Sequence, residues 1–411
     1  MAARAGGRLS MAGGLTELVH DGDRLLIGTG AAEPRDLLAE LVGETARERR
    51  NLELIQVTTG SSGLVRQAAA AGHRVLSPAG GHEPEVAALP SSMMQLARDI
   101  TSGALRIDGV LFSGVEAGDD VAPALCVDIV PAAFEVARFR AVEYNRRLPD
   151  LRVRPLLPRS ACDLERRSEH PLPELAPAPV GPAAKAIGEY VADLIPDGAA
   201  IEVGVGRSLA GLAPALIERG RRLSVHSGLI SDWTRSLVEE GVADRPLDCA
   251  GAASVVTATA MGTAEFYRWL HRNDDILAVD SYHAHDPAHL AALPRFIAVN
   301  AASRVDCSGQ VGVARRDAAR RGIGGLLDFS VAGSYAGGSI IAVESVDGRG
   351  DSRIVASLAD VQLPSQLVTH VVTEHGVARL AGRTWEQRCR EMTAVAHPDH
   401  RAELRRATEP R

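Results

Sequence analysis

One pattern occurs twice in this 411-residue chain: Asp-Gly, a short apolar run, Gly-x-Gly, then a stretch with helical apolar spacing. It reads "DGDRLLIGTGAAEPRDLLAELV" from Asp21 to Val42 and "DGAAIEVGVGRSLAGLAPALIE" from Asp197 to Glu218. Asp21/Asp197, Gly22/Gly198, Gly28/Gly204 and Gly30/Gly206 all share one offset. A strand passing through a glycine loop into a helix is the opening unit of a parallel α/β sheet. Its repetition predicts two open α/β domains of common design. Any strand–glycine–helix unit shares this outline, so the repeat needs further support.

That support comes from the rest of the chain. Buried-strand candidates "LELIQV" at 52, "GVLFSG" at 109, "ILAVD" at 276, "FIAVN" at 296, "SIIAV" at 339 and "HVVTE" at 370 alternate with helical patterns at 182–195, 209–218, 232–241, 264–272 and 385–395. Such alternation predicts mostly parallel sheets with ligands at the carboxyl ends of the strands, where Asp280 and Asn300 fall. Between the halves, Pro171, Pro173, Pro177, Pro179 and Pro182 interrupt Glu165 to Ala184 and exclude regular helix or central strand. The expected division is a domain over 1–164, a linker over 165–184 and a second domain over 185–411.

A net charge of -7 and 3% aromatic residues exclude a basic or base-stacking nucleic-acid surface. Lys185 is the single lysine. Cys126, Cys162, Cys249, Cys307 and Cys389 are dispersed, as expected of a reducing compartment. The start has no signal-peptide pattern and no apolar run reaches spanning length, so a cytoplasmic protein with no membrane association is expected.

Several clusters could carry chemistry. Gly28-Thr29-Gly30 and Gly204-Val205-Gly206 could present backbone N–H groups to a phosphate, or serve only as tight turns. Neither continues as a dinucleotide fingerprint. Gly322, Gly324 and Gly325 flank Ile323 in "RGIGGLLDF" and could hold an anion or an oxyanion, or form a packed turn. In "SYHAHDP", His283 and His285 would share a face of an extended segment, but no third ligand supports a metal. "RRLSVHSGLISDW" presents His226-Ser227-Gly228 at a strand end. Adjacent Ser and His point to opposite faces, which disfavours a triad with Asp232.

The order of "VHSGLISDWTRSLVEEGV", "FIAVNAASRVDCSGQVG", "GIGGLLDF", "VVTEHGVARLAGRTWEQR" and "AHPDHR" resembles the acetyl-CoA hydrolase/transferase family, the CoA-transferases related to 4-hydroxybutyrate CoA-transferase. The likeness is strong from about Pro182 onward and weaker at Gly28–Leu38 and "VEYNRRLP". It implies two α/β domains with the active site in the cleft between them, usually as a homodimer. It further implies an acyl-CoA thioester as substrate, a small-molecule acceptor and no permanently bound cofactor. The family's glutamate forms an acyl anhydride and then a glutamyl-CoA thioester, and its glycine loop corresponds to Gly322–Gly325.

This chain departs where the family reads His-(Ser/Thr)-Glu, because Gly228 occupies the nucleophile position and cannot form an anhydride. Glu202 stands in place of a common glutamine, Glu344 in place of a usual proline, and Ser339 in place of the lysine of "GGK". Three readings follow. One is direct acyl transfer or hydrolysis with His226 or His283 as base beside Ser227. Another is transfer through a relocated carboxylate at Glu33, Glu202 or Glu344. The last is a non-catalytic acyl-CoA-binding homologue.

Overall fold

The computed structural model describes residues 14–48, 50–57, 63–79, 85–247, 253–312 and 323–408. Two α/β domains are built on mostly parallel sheets. The first sheet has seven parallel strands in the order Leu164–Ser168, Phe139–Asn145, Gly109–Ser113, Arg24–Ile27, Glu53–Ile55, Arg74–Ser77 and Val86–Ala88. The second has nine, ordered Gly376–Arg379, His370–Thr373, Gly338–Ala342, Ile297–Ala301, Ala200–Val203, Ser224–Ile230, Val255–Ala260, Ile276–Val279 and Arg152–Arg154. Within it only the hairpin of Gly376–Arg379 with His370–Thr373 is antiparallel.

In each sheet the chain leaves an inner strand, Arg24–Ile27 or Ala200–Val203, winds to one side, then returns to the other side of that strand. The reversals fall between Arg24–Ile27 and Gly109–Ser113, and between Ala200–Val203 and Ile297–Ala301. A crevice opens at such a switch point because successive crossovers leave in opposite directions. The glycine loops therefore sit at the two crevices.

The internal repeat is physical as well as sequential. Asp21 Oδ1 accepts from the Asn51 N–H at 2.7 Å, and Asp197 Oδ1 from the Arg222 N–H at 2.8 Å. The N–H of Gly22 donates to Asn51 O and that of Gly198 to Arg222 O, both at 2.8 Å. These turns need positive φ, +79° and +77°, which glycine adopts without steric cost. Gly28 N–H then reaches Leu111 O at 2.7 Å, and Gly204 N–H reaches Val299 O at 2.8 Å. The two loops thus tie each inner strand to its neighbour across the switch point.

The boundary between halves differs from the sequence reading. Residues 165–168 of the Pro-rich stretch lie in the strand Leu164–Ser168 of the first sheet, because its donors and acceptors pair with Phe139–Asn145. Only 169–181 lack regular structure, and Pro182 opens the helix Pro182–Leu194 at its first turn. Arg152–Arg154, earlier in the chain, belongs to the second sheet. The halves are also joined through Leu125–Asp128: Ala260 N–H donates to Leu125 O at 2.8 Å, and Ser281 N–H to Asp128 O at 2.8 Å.

The helix after the second glycine loop, Leu212–Glu218, packs against Pro182–Leu194 through bare backbone. A Cβ on Gly188 would lie 2.3 Å from the carbonyl carbon and oxygen of Gly211. Gly188→Ala should therefore destabilise the fold by about 1–3 kcal/mol, the usual cost of overpacking. A lower urea midpoint at unchanged slope is the expected measurement.

Candidate active site

A cavity of about 500 Å³ opens at the switch point of the second sheet and takes walls from both halves. Val57, Ala79, Met93 and Asp128 come from the first half. Glu202, Gly204–Ser208, Gly228, Leu229, His285, Asn300, Gly324, Gly325, Phe329, Glu344 and Arg353 are among those from the second. Strand ends supply Glu202 and Asn300, and the helix Leu326–Tyr335 supplies Phe329.

Local sterics explain the glycines. A Cβ on Gly204 would stand 2.4 Å from Asn300 Oδ1, and one on Gly206 would stand 2.4 Å from the Ala301 Cβ. The loop can lie against Ile297–Ala301 only without side chains there. Asn300 then donates from Nδ2 to Glu202 Oε2 at 2.7 Å. Burial pushes the Glu202 carboxyl up to about 8, against the opposing effect of the Asn300 hydrogen bond. At neutral pH Glu202 is therefore mostly a neutral acid, able to donate a proton.

Gly228 and Gly325 shape the other side. A Cβ at Gly228 would lie 2.9 Å from His285 Cε1 and 3.1 Å from Phe329 Cε2. At Gly325 both distances would be 2.7 Å. The His285 ring, 4.8 Å from the Phe329 ring centroid, fits because both neighbours are glycine. His285 is 4% exposed, its Nδ1 lies 3.9 Å from Asp328 Oδ2, and that nitrogen has no hydrogen-bond partner among the described residues. Burial holds the imidazole down at about 3, so it is neutral at working pH. Asp328 is pushed up to about 6 by burial and accepts from the Met94 N–H of the first half at 3.1 Å.

Gly324 is held at φ +52°, and its N–H already donates to Pro78 O at 3.2 Å. Gly325 N–H has no partner among the described residues and is the loop's candidate oxyanion donor. Gly322 lies outside the described residues.

Most of the other residues singled out in the sequence lie away from this cavity. His226 is 2% exposed and packs its ring 5.7 Å from that of His289, without lining the cavity. Burial, then the neighbouring His289 and His285, hold it down at about 3. Ser227 is fully buried, with its hydroxyl 3.1 Å from the carbonyls of Val203 and Leu229. His283 is an exposed residue whose Nδ1 lies 2.7 Å from Asp280 Oδ1. The two histidines do not share the face of an extended segment: Asp280 caps a short helix, Ser281–Ala284, and turns them apart. Glu33 is buried and accepts from Gln56 Nε2 at 2.9 Å, outside the cavity lining. Gly28 and Gly30 are likewise absent from it, whereas Gly204 and Gly206 line it.

Asp128 and Asp328 escaped the sequence reading. "CVDIV" resembles a strand, yet Asp128 sits at φ +40° in a turn, accepts from Ser281 Oγ at 2.6 Å and is pushed up to about 6 by burial. Among the described residues no group of three or more His, Cys, Asp or Glu is arranged to hold a metal, and no helix is long and apolar enough to cross a membrane.

Residues 262–408 match the acetyl-CoA hydrolase/transferase C-terminal domain. Over 286 residues, 67% of this chain, the sequence is 30% identical to the 4-hydroxybutyrate coenzyme A transferase of Clostridium kluyveri. The chain belongs to the acetyl-CoA hydrolase/transferase family. Another member, the succinyl-CoA:cyclohexane-1-carboxylate CoA transferase of Geobacter metallireducens, is 30% identical over 246 residues, 58% of this chain. These matches span 66% and 56% of the relatives' own lengths, less than two thirds. In fold, the chain is similar to RipA from Yersinia pestis (TM-score 0.84, 24% identity) and to a 4-hydroxybutyrate CoA-transferase from Porphyromonas gingivalis (TM-score 0.81, 22% identity). Each similarity covers 95% of this chain and 94% of the other.

The buried carboxyl of Glu202 makes stability depend on pH. Its folded value, about 8, lies above the ordinary 4.5, so the folded state holds a proton that the unfolded state releases. Stability must fall as pH rises between these values. The aspartates titrate around 6 and the histidines at or below 6.5, so among these groups Glu202 dominates in the upper part of the interval, toward pH 8. Urea midpoints should decline across that upper part, and Glu202→Gln should flatten the decline.

Proposed function

We propose that this chain transfers the acyl group of a CoA thioester directly to an acceptor or to water, with no enzyme-bound glutamyl thioester. The carrying observation is Gly228: at the position of the family's glutamate there is no side chain, and His285 and Phe329 crowd the space a Cβ would enter. In this reading the thioester carbonyl lies toward Gly325 N–H, which stabilises the developing oxyanion. Neutral His285 Nε2 takes a proton from the acceptor or from water as the new bond to the acyl carbon forms. The C–S bond breaks, and Glu202 returns a proton to the departing CoA sulfur. Asp328 faces Nδ1 and positions the ring. The acceptor is a small molecule, and the protein works as a cytoplasmic homodimer.

Glu344 supports a second reading. It lines the same cavity, with a side chain 25% exposed and 3.8 Å from Arg353 Nη2, and could serve as a relocated nucleophile. Glu202 is a poorer one because burial keeps it protonated.

Purified protein should release CoA thiol from a panel of acyl-CoA thioesters while its intact mass stays unchanged. His285→Ala should lower turnover by roughly 10²–10⁴-fold, the usual contribution of a general base. A CoA or acyl adduct mapping to Glu344 would replace direct transfer with the relocated carboxylate. Binding without turnover would favour the non-catalytic acyl-CoA-binding homologue.

The crowding at Gly228 gives a separate test. Gly228→Glu alone should destabilise the protein or displace His285. The double variant Gly228→Glu with His285→Ala has room for the carboxylate and should form a hydroxylamine-sensitive CoA adduct detectable by intact mass. Adduct formation in the folded single variant would show that His285 does not block that position.

A further inference from the structure

A second cavity, of about 720 Å³, lies beside the first and has no role in the chemistry above. Leu209, Leu212, Leu216 and Ile217 form one wall, Trp233 another, and residues 175–180 of the Pro-rich stretch cross its mouth. The strap is fastened: Leu175 N–H donates to Gly262 O at 3.0 Å, Tyr267 Oη to Pro173 O at 2.7 Å, and Ala264 N–H to Glu174 Oε2 at 2.9 Å. Val203–Arg207 and Leu229 line both cavities, so a single loop separates them. Two residues of that loop are glycines, and Val205 between them is 67% exposed.

We propose that this second cavity receives the hydrocarbon chain of the acyl group, making the substrate a medium-chain or longer acyl-CoA. The proposal rests on the acyl-CoA reading above and adds the acyl class to it. Adjacency carries it: a thioester carbonyl at Gly325 lies in the cavity bounded by Gly204–Gly206, the exposed Val205 of that loop lines both cavities, and the cavity on its other side is apolar. Its volume is within the range of small-molecule sites, and an apolar recess of this size beside a reaction cavity is where an apolar substrate group gains most from burial. Polar or very short acyl groups would leave it open to water.

The test compares acetyl-, butyryl-, octanoyl- and lauroyl-CoA on the full chain by CoA-thiol release. Each fully buried methylene should raise kcat/KM by about fourfold, giving at least about 100-fold between acetyl and octanoyl even with partial burial. Ala210→Trp and Ile217→Glu alter residues that line only the second cavity. Both should abolish that chain-length gain and leave acetyl-CoA turnover within about twofold. Two variants guard against one failing to fold. Octanoyl-CoA should also shift the fluorescence of Trp233 saturably, and acetyl-CoA should not; the shift should be lost in Trp233→Phe.

Rates independent of chain length, or variants that slow every thioester equally, would overturn the proposal while leaving acyl transfer intact. If no thioester turns over yet octanoyl-CoA still shifts Trp233, the catalytic reading fails and the chain site stands. If Ala210→Trp instead changes the oligomeric state with no effect on chain preference, a second copy occupies the recess and the proposal is overturned.

Discussion

The contact between the second glycine loop and the strand Ile297–Ala301 governs the geometry of the site. With Asn300 Oδ1 only 2.4 Å from where a Gly204 Cβ would be, the loop lies flat on the strand end. That approach lets Gly204 bond to Val299 and brings Asn300 onto Glu202. It also holds the wall shared by the two cavities. A bulkier residue would lift the loop, separate Asn300 from Glu202 and merge the recesses.

Around this contact the titratable groups follow one electrostatic rule. Glu202, Asp128 and Asp328 are pushed up, His226 and His285 down, and burial is the largest cause in every case. Each shift favours the uncharged form, as expected where water is excluded and counter-ions are few. At neutral pH Glu202 and the two histidines are therefore uncharged, whereas Asp128 and Asp328, at about 6, are mostly ionised, and Arg207, Glu344 and Arg353 add charges to the cavity lining. In such surroundings an oriented N–H or a neutral imidazole acts more strongly on a developing charge than it would in water. A fixed carboxylate at Gly228 would have brought a further full charge against His285 and Phe329.

Much of the architecture was legible because buried parallel strands are short apolar runs ending in small residues. "ILAVD", "FIAVN" and "HVVTE" emerge as Ile276–Val279, Ile297–Ala301 and His370–Thr373. The repeated Asp-Gly corners were visible because only glycine suits their φ. Arg152–Arg154 and Leu164–Ser168 were not legible, since charged residues occupy positions at sheet edges where one side meets solvent. The site was half legible. Gly228 and Gly325 could be named, but His285 stood out from His283 only once Asp280 was seen to cap the intervening turn. Asp128 and Asp328 reach the cavity region through tertiary packing that leaves no periodic trace.

The crossing of strands between the halves bears on how such a chain can be cut or recombined. Arg152–Arg154 closes the outer edge of the second sheet, and Leu164–Ser168 then returns to the first. The Pro-rich stretch that follows is the obvious seam by composition, yet severing the chain there leaves Ile276–Val279 of the downstream fragment with an unpaired edge. It also strips away Leu125–Asp128, which bonds to Val255–Ala260 and Ser281. The two sheets repeat one design, but the second is completed by a strand that the first half carries, so inheritance, expression or shuffling of the second half is tied to the whole interlaced unit.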